Sequence, residues 1–140
     1  MAVAAKEAVA ELAALREAPR PVIIEAISAG LPTVLARELT ERLGISIEAM
    51  AELLRLNPRT LQRRMEDGRL DLAESERLWE LAQLLFRATD VFDDEKEAVR
   101  WLKSPIRALD DHTPLDYAHT AVGIREVENV LGRIEHGIFS

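Results

Sequence analysis

The amino-acid sequence predicts an all-α fold that consists of an N-terminal arm and two small helical domains. Apolar residues recur at the spacing of an α-helix through most of the chain. Proline and glycine stand where these segments begin and end, and no segment shows the alternation of apolar and polar residues that is typical of a strand. Hydrophobic residues make up 48% of the 140 residues, a share that favours a buried core over a disordered chain.

The first part of the chain divides into short helices at its prolines and glycines. Residues 2–18 hold eight alanines and predict a helical arm that ends before the prolines that follow. A short helix over 22–29 is expected to end at Gly30. The next helix is expected over 33–43, where leucines recur every fourth residue ahead of Gly44.

Two further short helices are expected on either side of a turn of three or four residues. Ser46 is placed to cap the first of them, which should stop near Leu56. Asn57 is placed to cap the second, because its side chain accepts hydrogen bonds from free N–H groups, and Pro58 suits the first helical position. Gly68 ends that helix. This spacing is typical of a helix-turn-helix, in which the second helix enters the major groove of DNA.

The faces of the second helix follow from a rotation of about 100° per residue. Leu61 and Met65 fall on one side and are expected to point into the core, whereas Arg59 and Arg63 fall on the opposite side. Arginine can donate two hydrogen bonds to guanine, glutamine can pair with adenine, and any arginine can contact phosphate. The candidate DNA-binding residues are Asn57, Arg59, Thr60, Gln62, Arg63 and Arg64.

The distribution of charge supports this interpretation. The chain has a net charge of −7, which by itself argues against nucleic acid. Residues 55–69 carry +3, however, while residues 1–54 carry −3 and residues 70–140 carry −7. The alternative is that these arginines merely form the solvent-exposed face of a helix and bind nothing, since arginine is the usual basic residue throughout this chain. The local reversal of sign favours DNA.

The second half is also expected to be helical. One long helix is predicted from Asp71 to Phe92 and a short one over 94–103, in which Trp101 and Leu102 are expected to be core residues. A loop-rich stretch and a last helix that ends before Gly137 follow. We therefore divide the chain into an arm over 1–21, a helix-turn-helix domain over 22–70 and a C-terminal domain over 71–140.

The chain resembles the Xre/MbcA/ParS-type antitoxins, in which an Xre-like helix-turn-helix precedes a toxin-binding domain. The resemblance covers about residues 31–140. It is carried by Arg59-Thr60-Leu61 with Arg63-Arg64, Glu74-Ser75 with Arg77-Leu78, Val91-Phe92, Trp101-Leu102 with Pro105, Ala108-Leu109, Thr113-Pro114-Leu115, Thr120, Gly123, Val127 and Leu131 to Gly137. The family usually has a Gly-Gly pair where Asp110 and Asp111 stand here, so this turn is expected to differ in detail.

The resemblance implies an antitoxin that neutralises a cognate RES-domain toxin, an enzyme that consumes NAD, and that represses its own operon through the helix-turn-helix. We expect a cytoplasmic homodimer, because a single helix-turn-helix seldom binds DNA tightly. The candidate toxin-binding residues are Arg133, Glu135, His136, Ile138 and Phe139. The alternatives are a stand-alone helix-turn-helix regulator whose C-terminal domain dimerises or senses a ligand, and an interaction module whose helix-turn-helix no longer binds DNA.

Other classes of function find no support in the sequence. There is no cysteine, and the three histidines do not pair at the spacing of a zinc site, so neither a metal nor another cofactor is expected. No glycine-rich phosphate loop and no nucleophile motif occurs, which argues against an enzyme. The charged N-terminus predicts no signal peptide, and no apolar run is long enough for a membrane span.

Overall fold

The computed structural model describes residues 10–137, and this part of the chain contains helices and no strand. The α-helices are α1 (Leu12–Glu17), α2 (Arg20–Ala29), α3 (Thr33–Leu43), α4 (Ile47–Leu53), α5 (Pro58–Asp67), α6 (Leu72–Phe92), α7 (Glu95–Leu102), α8 (Pro114–Tyr117) and α9 (Ala121–Glu135). A 3₁₀ turn spans Arg107–Leu109. The predicted all-α class is confirmed.

The helices form two compact units, of which the first ends at Trp79 and the second begins at Glu80. The division falls inside α6, whereas the sequence was divided between residues 70 and 71. The arm was expected over 2–18. Residues 1–9 lie outside the described part, and α1 covers Leu12–Glu17 of the remainder.

The first unit has a core built largely of leucine. Its fully buried side chains include Leu12, Leu15, Leu31, Leu35, Leu39, Leu43, Met50, Leu54 and Leu61. Gly30 closes α2 with a φ of 94°, and a Cβ atom there would lie 2.2 Å from the carbonyl oxygen of Leu70. The linker between α2 and α3 therefore approaches the chain after α5 so closely that only glycine fits.

The second unit depends on a close contact between its last two helices. A Cβ atom on Gly123 would lie 1.7 Å from the carbonyl oxygen of Tyr117, so glycine is required for α9 to approach α8. Thr113 caps α8 and Thr120 caps α9, each accepting a hydrogen bond from a backbone N–H three residues ahead. The structure thus contains a short helix, α8, within the stretch that was expected to be a loop.

The turn before α8 adopts a glycine-like conformation without glycine. Asp110 and Asp111 both have positive φ, at 54° and 63°. Aspartate tolerates the left-handed region better than most residues, because its short side chain can bond locally to the backbone. Ile106 donates its N–H to the carbonyl of His112 across this turn, so the two aspartates close the loop at the positions where the resemblance led us to expect a difference in detail.

Of the two residues of α7 that were expected in the core, Trp101 is less buried than predicted. Leu102 is a core residue, as predicted, with 1% of its surface exposed. Trp101 is only half-buried, and its ring lies 5.6 Å from the ring of Phe92. The two half-buried rings pack against each other in a tilted arrangement, and neither ring is fully enclosed.

Candidate nucleic-acid and partner interfaces

Helices α4 and α5 form the predicted helix-turn-helix. The Ser46 side chain accepts a hydrogen bond from the N–H of Ala49 and caps α4. The Asn57 side chain accepts one from the N–H of Thr60, at 3.1 Å, and caps α5. Between the helices, Arg55 adopts a positive φ of 60°, which turns the chain sharply. Both caps were predicted, and α4 ends at Leu53, slightly earlier than expected.

The outward face of α5 carries the predicted cationic side chains. Arg59, Gln62 and Arg63 are exposed, and Thr60 is half-buried. Within residues 10–137, neither Arg59 nor Arg63 forms an ion pair or a side-chain hydrogen bond. On the opposite face, Leu61 is fully buried. The inner face of α5 is therefore anchored in the core, and its outer face presents two arginines to solvent.

Met65 departs from the prediction. It was expected in the core with Leu61, but it is only half-buried. Its Sδ atom lies 3.9 Å from a guanidinium nitrogen of Arg37 on α3. The polar neighbour and the position near the end of α5 leave this side chain at the edge of the core.

Arg64 lies apart from the other candidate DNA-binding residues. Its Nε donates to Oε1 of Glu74 at 2.9 Å, and its Nη2 donates to Oε2 at 3.2 Å. The hydrogen bonds and the charge of Glu74 raise the pKa of the Arg64 guanidinium above its usual value. A raised arginine pKa stabilises the fold at every pH below the usual value, so this contribution does not change near neutral pH.

The end of α9 holds the candidate toxin-binding residues that the structure describes. Glu135 forms two hydrogen bonds with Arg87 of α6, at 2.8 Å and 3.1 Å. Arg133 is half-buried and His136 is exposed. Ile138 and Phe139 lie outside the described residues. The carboxylate of Glu135 is therefore held by the chain itself, whereas His136 is open to solvent.

The outer surface of α9 has an unusual glycine. A Cβ atom on Gly132 would meet nothing within 4 Å, so packing in the described chain does not require glycine there. Glycine inside a helix is less favourable than alanine by about 1 kcal/mol. Val122, nearer the start of the same helix, has 64% of its surface exposed. A side chain at position 132 would therefore find open space within the described part of the chain.

Residues 10–137 contain neither a metal-binding cluster nor a membrane-spanning helix. No group of three or more histidine, aspartate or glutamate side chains is arranged to hold a metal ion. None of the described helices is both long enough and apolar enough to cross a membrane.

Comparison with known protein families gives a match for the helix-turn-helix part of the chain and another for its C-terminal part. The family model for the antitoxin Xre-like helix-turn-helix domain matches residues 22–83. The model for the antitoxin Xre/MbcA/ParS C-terminal toxin-binding domain matches residues 87–137. An antitoxin Xre from Yersinia enterocolitica is 33% identical over 129 residues, which cover 79% of this chain and 87% of that protein. This chain belongs to the Xre antitoxin family.

Further relatives and a solved structure agree with this membership. An antitoxin Xre from Photorhabdus laumondii is 30% identical, with 81% of this chain and 78% of the relative covered. One from Pseudomonas putida is 32% identical, with 79% and 69% covered. A chain from the crystal structure of the M. tuberculosis MbcT-MbcA toxin-antitoxin complex has a TM-score of 0.56 and 25% identity, covering 74% of this chain and 93% of that one.

Two residues of these interfaces were not assigned from the sequence. Arg87 had no predicted role, and its pairing with Glu135 joins residues that are far apart in the chain. Glu74 was noted only as part of the family pattern. A local signal was available for Glu74, because Asp71 and Glu74 have the spacing of a capping box at the start of α6.

Proposed function

We propose that this Xre-family chain neutralises a cognate RES-domain toxin that consumes NAD, and that it acts in the cytoplasm. We propose also that it represses its own operon by binding operator DNA as a homodimer. The observation that carries the DNA part is the pair of exposed arginines, Arg59 and Arg63, which lack a partner in residues 10–137 of an otherwise acidic protein. The family supports the toxin-neutralising part.

The proposed DNA interface consists of the exposed face and the start of α5. Arg59 and Arg63 contact base edges or phosphates, Gln62 and Thr60 extend the same surface, and the N-terminus of α5 at Asn57 faces the DNA backbone. A homodimer presents two such helices about 34 Å apart, one turn of DNA. Local positive charge of this kind makes binding dependent on salt concentration.

The DNA part is tested by replacing both arginines. We expect Arg59→Gln with Arg63→Gln to abolish the preference for the upstream DNA of the operon over random DNA. The slope of log K against log salt should fall by about 0.9 for each arginine that contacts a phosphate. Arg125→Gln with Arg133→Gln is the matched control, since it removes the same charge from α9. Equal affinity of the double variant and the unaltered chain for operator DNA would contradict the proposal.

The proposed toxin interface lies on the outer surface and at the end of α9. Arg133, His136 and the following residues Ile138 and Phe139 form the contact, with Glu135 available if it leaves Arg87. Gly132 supports this placement, because a partner that approaches the helix closely is a reason for glycine where the described chain provides none. A large side chain at Gly132 should therefore block the toxin while leaving the fold intact.

The toxin part is tested by co-expression with the adjacent gene product. We expect the unaltered chain to restore growth and to co-purify with the toxin, and we expect Gly132→Trp, Arg133→Glu and a chain that ends at His136 to do neither. Arg125→Glu, a charge reversal two turns earlier on α9, is the matched control and should still restore growth. Operator binding without any growth rescue by the unaltered chain would favour a stand-alone regulator instead.

A further inference from the structure

The first turns of α6 hold three separate parts of the helix-turn-helix unit. Glu74 binds Arg64 near the end of α5 through both of its oxygens. The Ser75 hydroxyl accepts a hydrogen bond of 2.7 Å from the N–H of Leu31, ahead of α3. Arg77 donates to the carbonyl of Leu54, at the turn between α4 and α5, at 3.1 Å. One short segment, Glu74 to Arg77, thus contacts the surroundings of α3, α4 and α5.

The Glu74 carboxylate is itself fixed in place. Its side chain is 4% exposed, and its Oε1 atom also accepts a hydrogen bond from the N–H of Asp71 at 3.0 Å. Asp71 in turn accepts one from the N–H of Glu74 at 2.8 Å. A buried carboxylate whose two oxygens both accept hydrogen bonds keeps a single orientation. The Glu74 carboxylate therefore defines where the Arg64 guanidinium lies.

This arrangement separates Arg64 from its neighbour Arg63. Arg63 points to solvent, whereas the Arg64 guanidinium is bound by Glu74 and lies 3.8 Å from Asp71. Glu74 occupies the Nε and Nη2 donors of Arg64, and its negative charge offsets the guanidinium charge. A phosphate that took the place of Glu74 at these two nitrogens would leave a buried unpaired carboxylate, which is strongly unfavourable. The charge of Arg64 is therefore not available to DNA in the way that the charges of Arg59 and Arg63 are.

We propose that Arg64 and Glu74 are positioning residues for DNA binding. The pair holds the end of α5 against the start of α6 and so sets the angle at which Arg59 and Arg63 meet the groove. Arg64 acts on specificity through Glu74 and makes no contact with DNA. This inference rests on the proposed DNA binding. It also assigns a role to Glu74-Ser75, which is part of the family pattern but is used neither in the proposed toxin contact nor in the proposed contact with DNA bases.

The experiment measures affinity for two duplexes of equal length, the DNA upstream of this gene and a random sequence, over a range of salt concentrations. We expect Arg64→Gln, Arg64→Lys and Glu74→Gln each to lower the ratio of the two affinities by about tenfold, on the scale of one lost bidentate base contact. The salt slope should stay unchanged. The double variant Arg64→Gln with Glu74→Gln should lower the ratio no further, because both residues act as one unit.

A direct phosphate contact by Arg64 would give a different pattern. Arg64→Gln would then lower the salt slope by about 0.9, Arg64→Lys would behave as the unaltered chain, and Glu74→Gln would leave binding unchanged or tighter. That pattern overturns the inference. Glu76→Gln is the matched control, since Glu76 is exposed on the same helix. It should change neither the ratio nor the slope.

Folding and the parent proposal are separated from this inference by two further readouts. Thermal unfolding of each variant sets a temperature at which every protein is folded. Glu74→Gln keeps the size and shape of the side chain but replaces one of the two accepting oxygens with an NH₂ donor, so it weakens the pair with Arg64 without leaving a cavity. An unaltered chain that binds both duplexes equally overturns the DNA function and this inference with it. A selective unaltered chain with equally selective Arg64 and Glu74 variants overturns this inference alone.

Discussion

In each of the two units of this antitoxin-family chain, an arginine–glutamate ion pair joins α6 to a helix of a candidate interface. The two pairs differ in how far their side chains are buried. In the first unit Arg64 and Glu74 join α5 to α6, and their side chains are 28% and 4% exposed. In the second unit Arg87 and Glu135 join α6 to α9, and theirs are 39% and 37% exposed. The shortest contacts are nearly equal, at 2.9 Å and 2.8 Å.

This difference in burial indicates that the two helices are held by different forces. In the first pair the Glu74 carboxylate is shielded from water and salt and accepts a further hydrogen bond from the backbone N–H of Asp71, so it can define an orientation. The exposed pair competes with water and contributes little. In the second unit the position of α9 depends instead on the close packing of Gly123 against Tyr117. A half-exposed Glu135 can exchange Arg87 for a partner at small cost, as its proposed toxin contact requires.

The largest effect is expected at the close contact in the second unit. Gly123→Ala should destabilise that unit by about 3 kcal/mol or more, because the added Cβ atom would overlap the Tyr117 carbonyl and force α9 away from α8. Gly132→Ala on the same helix should instead stabilise by about 1 kcal/mol, since its Cβ atom meets nothing. Chemical denaturation of both variants checks the contrast. Similar stabilities would show that backbone approach does not hold α9.

The next effect compares the two carboxylates. Glu74→Ala should lower the free energy of unfolding by about 2 kcal/mol, because it removes three hydrogen bonds and leaves a cationic partner without its carboxylate. Glu135→Ala should cost less than about 1 kcal/mol, as is usual for an exposed pair. Both values come from urea denaturation followed by circular dichroism. Equal losses would mean that burial does not distinguish the pairs.

The smallest effect is the response of these losses to salt. The loss caused by Glu135→Ala, a fraction of 1 kcal/mol, should nearly vanish in about 1 M NaCl, where the Debye length is about 3 Å. The loss caused by Glu74→Ala should persist under the same conditions, because the carboxylate is shielded from the ions. Repeating the denaturation at low and high salt measures both. If the loss of stability caused by Glu74→Ala disappeared at high salt, Glu74 would not be shielded from the ions, and its proposed positioning role would lose its support.

The local elements could be predicted because their signals are local. Helix α3 was predicted over the residues at which it occurs, since its leucines repeat every fourth residue and Gly44 follows. The caps at Ser46 and Asn57 were predicted because a capping residue acts on an N–H only three residues ahead. The outward direction of Arg59 and Arg63 followed from helix periodicity and the buried Leu61. Helix α8 was missed because it is a single turn between prolines, aspartates and a threonine that are equally typical of loops.

The partners of the long side chains could not be predicted in the same way. Arg63 and Arg64 are neighbours with the same chemistry, yet one faces solvent and the other binds Glu74. Arg87 and Glu135 are 48 residues apart, and no periodicity connects them. The half-exposed position of Met65 depends on Arg37 of a different helix.

The sequence by itself determined the helical class, the helix-turn-helix with its caps, the local positive charge on an acidic chain and the resemblance to the antitoxin family. These follow from spacing, propensity and composition, which are properties of neighbouring residues. Only the tertiary structure decided which arginine of α5 is exposed without a partner among the described residues, which carboxylate is buried, and why Gly123 is required while Gly132 is not. Those outcomes depend on how closely helices approach one another, and this distance results from packing of the whole unit.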